Sequence, residues 1–187
     1  MRGVRIFALL LAAALPAAAA ADDEELWQLL VGGGQFVLVR HTVTTPGVGD
    51  PEGMRLEDCS SQRNLTGEGR DHARRIGEAF RSRKVRVARV LSSPWCRCVE
   101  TAGIAFGSAD ISPPLGNLFG RQHLRAKQVA EMRELLKEAP AAGNVVLVSH
   151  GSTILALTGI SPATGEAVVL TPQGGGRFSV AGRLQIP

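Results

Sequence analysis

An α/β fold, with a mainly parallel sheet covered by helices on both faces, is predicted by three observations. Residues 36–39 and 145–148 are continuous apolar runs too short for helices, so they read as buried strands. Stretches with helical apolar spacing alternate with them. Each strand candidate also ends abruptly in polar side chains: Arg40-His41, Ser92-Ser93-Pro94 leading to Arg97, and Ser149-His150. In parallel sheets ligands bind beyond the carboxyl ends of the strands, so this convergence places the candidate site.

The elements follow in order. Residues 22–30 form a short helix with an acidic start, stopped by Gly32-Gly33-Gly34. The strand at 36–39 follows, and residues 42–61, rich in Gly, Pro and Asp without apolar period, form a long loop. Thr66 is an N-cap, Glu68 favours the first turn, and Ala73, Ile76, Gly77 and Phe80 keep helical spacing to about Arg83. A strand is expected over 85–91 and a helix over 95–106, then a Gly/Pro-containing loop over 107–120. Residues 122–138 are expected as one amphipathic helix with Val129, Met132, Leu135 and Leu136 on one side. The strand at 145–148 and a helix over 152–157 follow. A terminal strand pair, 168–170 and 178–181, flanks Gly174-Gly175-Gly176. Neither an internal repeat nor an interdomain linker is visible, so residues 22–187 are expected as one domain.

Composition narrows the function classes. The chain has 187 residues, 44% hydrophobic and 20% charged, which supplies a core and excludes a disordered or collagen-like chain. With 4% aromatic residues and no Tyr, a stacking platform for single-stranded nucleic acid is not expected. Residues 1–21 combine a basic start, a short apolar run and an Ala-rich end, the pattern of a secretory signal peptide cleaved near Ala21. The run is far shorter than the roughly 20 residues of a membrane span, so stable insertion is not expected after cleavage. Loss of Arg2 and Arg5 takes the 21 basic residues to 19, against 17 acidic ones, which weakens the charge argument for a nucleic-acid partner, and none is expected. A periplasmic or secreted location follows. In such a compartment Cys59, Cys96 and Cys98 can form one disulfide, with Cys59–Cys96 the first choice and three small buried thiols the alternative.

Arg40, His41, Arg97 and His150 around one crevice suit one chemistry. Two guanidiniums offer planar donor forks that match phosphate oxygens. They also repel a proton from a neighbouring imidazole, which leaves one histidine neutral and nucleophilic. The second histidine can donate to an oxygen as charge shifts in the transition state, and the helix start after His150 adds N–H donors. No metal or other cofactor is required, and the chain offers no carboxylate cluster to hold one. His72 on a helix face and His123 at a helix start read as structural or surface residues; Arg55, Arg63 and Arg121 are candidates for the site rim, with solvated charge the favoured reading.

Four segments then resemble a family. Val37-Leu38-Val39-Arg40-His41-Thr42-Val43-Thr44 is similar to the L-V-R-H-G-x-T segment of the histidine phosphatase superfamily, with its phosphoglycerate mutase-like fold (branch 1). Leu65-Thr66-Gly67-Glu68-Gly69-Arg70-Asp71-His72-Ala73 resembles its L-T-x-x-G-x-x-Q-A helix start, with His72 where Gln is usual. Residues 92–102 resemble S-S-P-x-x-R-x-x-x-T-A, and residues 145–151 resemble V-V-L-V-S-H-G. The order and spacing agree over about residues 36–170. The resemblance implies a three-layer α/β/α sandwich in which His41 is transiently phosphorylated. Arg40, Arg97 and His150 then form the phosphate pocket, with Thr44 lining it, and water hydrolyses the phosphoenzyme. Two departures stand out: Thr42 replaces the usual Gly, and Asn117 lies near the place of the Glu that protonates the leaving group in many members. Asp110, Asp50 and Glu52 are the candidate replacements, with none of them as the remaining possibility.

The expected function is an exported, metal-independent phosphomonoesterase acting on a small phosphorylated metabolite or an envelope sugar phosphate. Two rivals are a phosphate- or phosphosugar-binding protein that lost turnover, and a phosphohistidine phosphatase acting on proteins. The oligomeric state is left open.

Overall fold

The computed structural model describes residues 22–186; the expected signal peptide, residues 1–21, lies outside the described residues. Asp22 caps helix α1 (Asp23–Gly32) by accepting from the Glu25 N–H, and the Glu25 side chain returns the bond to the Asp22 backbone. The chain then enters β1 (Phe36–Arg40). Helix α2 (Gly67–Ser82) starts at the predicted cap, where Thr66 Oγ1 accepts from Gly69 N at 3.0 Å. The remaining elements are β2 (Val87–Ser92), α3 (Cys96–Phe106), β3 (Asp110–Ile111), α4 (Arg125–Leu135), β4 (Asn144–Ser149), α5 (Gly151–Thr158), β5 (Ala167–Pro172) and β6 (Phe178–Leu184).

The six strands form one sheet in the order β3-β2-β4-β1-β5-β6. Its β3-β2-β4-β1 half is parallel, and β5 and β6 add antiparallel strands beside β1. Strand alternation fills two cores. Val37 and Val39 of β1, with Val146 and Val148 of β4, face α1, α2 and α3 through Leu26, Leu30, Ile76, Phe80 and Ala102. Phe36, Leu38 and Leu147 face the other way, onto Met132, Ile154 and Leu157 of α4 and α5. Side chains buried on both faces explain why β1 and β4 read as unbroken apolar runs, each such residue stabilising the fold by roughly 1.5–3 kcal/mol. This is the three-layer sandwich that the sequence implied.

Three expectations are corrected. The 107–120 loop contains the short edge strand β3 and a 3-10 turn, Pro113–Leu115. Both β3 residues are exposed, so no apolar period announced them. The helix expected over 122–138 is shorter: Gln122–Leu124 is a separate 3-10 turn, and α4 ends at Leu135. Pro140 disfavours helical backbone just before it, and the tight Leu136 N–Arg133 O turn closes the helix early. The strand expected from Val85 begins at Val87; Val85 is buried, and its N–H bonds to the Phe80 carbonyl instead.

Register positions the polar strand ends. Arg40 pairs with Ser149 across β1 and β4, and Ser92 pairs with Val148 across β2 and β4. The residues that follow, His41, Ser93 and His150, therefore emerge side by side. They do so where the connection out of β1 passes over β4 to reach β2, the position at which open α/β sheets form a crevice.

Candidate active site

A cavity of about 390 Å³ opens at this edge, and Arg40, His41, Arg63, Arg97, Asn117 and His150 are among its lining residues. His41 and His150 are 4% and 2% exposed, with ring centroids 5.4 Å apart in an edge-to-face arrangement. His41 Nδ1 lies 2.9 Å from the Thr42 carbonyl oxygen. A carbonyl only accepts, so Nδ1 carries the proton and the Nε2 lone pair is free for chemistry. Burial pushes the His41 pKa down to about 3, with Arg97, Arg40 and Arg63 acting in the same direction against the Thr42 hydrogen bond. The ring is therefore a neutral imidazole at physiological pH.

His150 packs with Nε2 at 2.8 Å from Ser93 Oγ and Nδ1 at 3.5 Å from Arg97 Nη2. Burial, then the neighbouring His41 and the arginines, holds it well below the usual histidine range. The Trp95 ring closes on it edge-on at 5.2 Å. Cys98 is a free, buried thiol beneath the same ring, with Sγ 3.5 Å from His150 Nε2, and burial pushes its pKa up to about 12.

Arg97, on the first turn of α3, is 1% exposed. Its terminal nitrogens hold Asp50, with Nη1–Oδ1 at 2.5 Å and Nη2–Oδ2 at 3.1 Å. Trp95 Nε1 donates to the same carboxylate at 3.1 Å, and Arg63 N at 3.3 Å. Burial pushes the Asp50 pKa up, but the Arg97 hydrogen bond and charge outweigh it and hold the carboxyl below its usual range. Arg40 Nη1 donates to the Pro162 carbonyl at 2.8 Å, and its guanidinium lies against the backbone of Gly151. A Cβ at that glycine would come within 3.3 Å of it, so the small residue admits the arginine to the start of α5. The Nε atoms of Arg40, Arg63 and Arg97 are all buried without a partner. Unpaired buried donors on three neighbouring arginines are what an anion site holds ready.

The structure thus brings Arg40, His41, Arg97 and His150 together, and separates Thr44 from them. Thr44 is not among the cavity-lining residues; its backbone forms an isolated bridge with Leu65. Thr42, at the family's Gly position, turns inward and is fully buried against Thr101, with its N–H 3.3 Å from Thr101 Oγ1. The three candidate proton donors do not line the cavity. Asp110 pairs with Arg89 at the sheet edge, Glu52 is exposed in the loop, and Asp50 is spent on Arg97. No carboxyl group is among the described lining residues.

Arg63, for which solvated charge is the favoured expectation and the site rim the alternative, takes the alternative place. It lines the cavity and donates Nη1 to the Gly47 carbonyl at 2.7 Å. Its signal was its place just before the Leu65-Thr66 helix start, which pairs with the chain leaving His41. Arg121 stacks over Trp95 at 5.1 Å, while Arg55 pairs with Asp58 on the surface. His72 is buried and its Nε2 lies 2.7 Å from the Ile186 carbonyl oxygen, and His123 is exposed. The Cys59–Cys96 disulfide is present and ties the long loop to the residue before Arg97.

Residues 36–114 match the family described as the histidine phosphatase superfamily (branch 1). No curated protein matches the chain. Among solved structures, the protein histidine phosphatase SixA complexed with tungstate is 21% identical, with TM-score 0.56, covering 81% of this chain and 96% of its own. The mycobacterial glucosyl-3-phosphoglycerate phosphatase is 19% identical, with TM-score 0.58 and coverages of 78% and 96%. Phosphoglycerate mutase from Thermus thermophilus is 20% identical, with TM-score 0.56 and coverages of 82% and 99%. At these identities the three establish the shared fold.

Proposed function

From the match of residues 36–114 to the histidine phosphatase superfamily (branch 1), we propose that this chain is a metal-independent phosphomonoesterase that works through a phosphorylated His41. The observation that carries this reading is the neutral, buried His41 ring, with Nδ1 committed to the Thr42 carbonyl and three arginines around it. Its Nε2 attacks phosphorus, a P–N bond forms, and the ester P–O bond breaks. The departing alkoxide takes its proton from water, since no carboxyl group is among the described residues that line the cavity. A second water then attacks the phosphohistidine, releasing orthophosphate and restoring the imidazole. Arg40, Arg63 and Arg97 balance the phosphoryl charge throughout, the effect that dominates such transfers.

The substrate class is a small phosphorylated metabolite or an envelope sugar phosphate, and the leader-like residues 1–21 support export to the periplasm or beyond. A second reading, a phosphate- or phosphosugar-binding protein of the same fold, is favoured by one specific observation: Asn117 lines the cavity, near the place where the family resemblance puts the Glu that protonates the leaving group. The purified protein is expected to hydrolyse para-nitrophenyl phosphate without added metal, and His41→Ala is expected to abolish this. Vanadate binding with no turnover of any ester would select the binding-protein reading. Full activity in His41→Ala would overturn the phosphohistidine route.

A further inference from the structure

The rim of the cavity differs in chemistry from its floor. Val48, Phe119 and Leu155, from three separate segments, all line the mouth, and they are 86%, 53% and 40% exposed. Single exposed apolar residues are ordinary, but three gathered at one opening above a charged floor mark a binding surface. The loop carrying Val48 is seated on the Phe119 ring: a Cβ on Gly49 would lie 3.4 Å from it, and the left-handed backbone there (φ +76°) favours glycine.

The amide oxygen beside that rim is already committed. Asn117 Oδ1 accepts from Phe119 N at 3.0 Å and from Ser152 Oγ at 2.9 Å. A backbone N–H can only donate, so the amide oxygen faces it and only the Asn117 NH₂ is left over. With no carboxylate among the described lining residues, the side chains of Ser152 and Ser161 are the hydroxyls that the lining offers to a polyol, with none of the charged acceptors that hold sugar hydroxyls most firmly. Sites that select sugars hydrogen-bond those hydroxyls, because stripping them of water unpaired is costly.

We propose that the alcohol half of the substrate is apolar, an aryl or short alkyl group packed among Val48, Phe119 and Leu155 while its phosphate rests on the arginines. The proposal rests on the phosphatase reading and narrows its substrate, setting the sugar phosphate aside.

The test uses esters whose leaving groups have similar basicity, so that differences report the rim. For the full-length purified protein, kcat/KM for hexyl phosphate should exceed that for ethyl phosphate and for glucose 6-phosphate by about tenfold, the gain from burying one or two methylenes. Phe119→Ser and Leu155→Ser should each move the hexyl-to-ethyl ratio toward one. Calorimetric titration with hexylphosphonate, phenylphosphonate and ethylphosphonate gives the binding order without turnover and separates alkyl from aryl preference. If no ester is hydrolysed, the phosphatase reading fails, and the phosphonate series still decides the apolar rim. Glucose 6-phosphate turned over within threefold of hexyl phosphate would overturn the proposal, as would equal phosphonate affinities.

Discussion

Acid should unfold this protein through its active site, at a pH well above that of carboxylate titration. His41 and His150 are buried and neutral, with the pKa of His41 near 3 and that of His150 also far below the ordinary value. In the unfolded chain each returns to about 6.5. A group whose folded pKa is depressed in this way binds its proton only when unfolded. Stability is therefore full above the unfolded value and drains as pH falls toward the folded one. Between pH 7.5 and pH 5 the His41 ring contributes a loss of about 2 kcal/mol, with a limiting slope near 1.4 kcal/mol per pH unit, and His150 adds to it in the same direction. Asp50 acts in a lower window: its depressed carboxyl loses its contribution only below the ordinary carboxylate value of about 3.9. Urea unfolding at pH 7.5, 6 and 5 measures the slope directly, and His41→Gln should lower it by about 1.4 kcal/mol per pH unit. A loss below about 1 kcal/mol over that range, or an unchanged slope in the variant, would refute the neutral-pair account.

Three further outcomes are expected. Asp50→Asn leaves Arg97 buried without its counterion and should cost about 3 kcal/mol; orthophosphate then supplies the missing charge, so it should raise Tm more in the variant than in the parent. Equal shifts would show that carboxylate and anion do not meet at Arg97. Reducing Cys59–Cys96, 37 residues apart, should cost about 4 kcal/mol by the chain-entropy relation, read as a lower urea midpoint in dithiothreitol. Gly77→Ala would set its Cβ 2.1 Å from the Ala105 carbonyl oxygen, wedging α2 from α3, and should lose about 1–3 kcal/mol in chemical denaturation.

The parts of the molecule legible in the sequence are those governed by local pattern. The runs at 36–39 and 145–148 could only be strands buried on both faces, and Thr66 announced its helix through a short-range cap. The polar residues ending three strands met because parallel register leaves little freedom at a shared edge. The rest depended on how a loop lies over the sheet. Asp50 sits in a segment without period, and nothing in its neighbours shows that it caps Arg97; Arg63 had only its place before the Leu65-Thr66 helix start to mark it for the cavity. Thr44 was placed by motif position, yet the chain uses it to pair with Leu65. The strand β3 escaped notice because both its residues face water.

The lone thiol of Cys98 has a practical consequence. It is sealed below the second imidazole and held protonated, so alkylating reagents cannot reach it in the closed molecule. Its labelling rate therefore counts how often the floor of the crevice breathes open, a clock that requires no engineered probe.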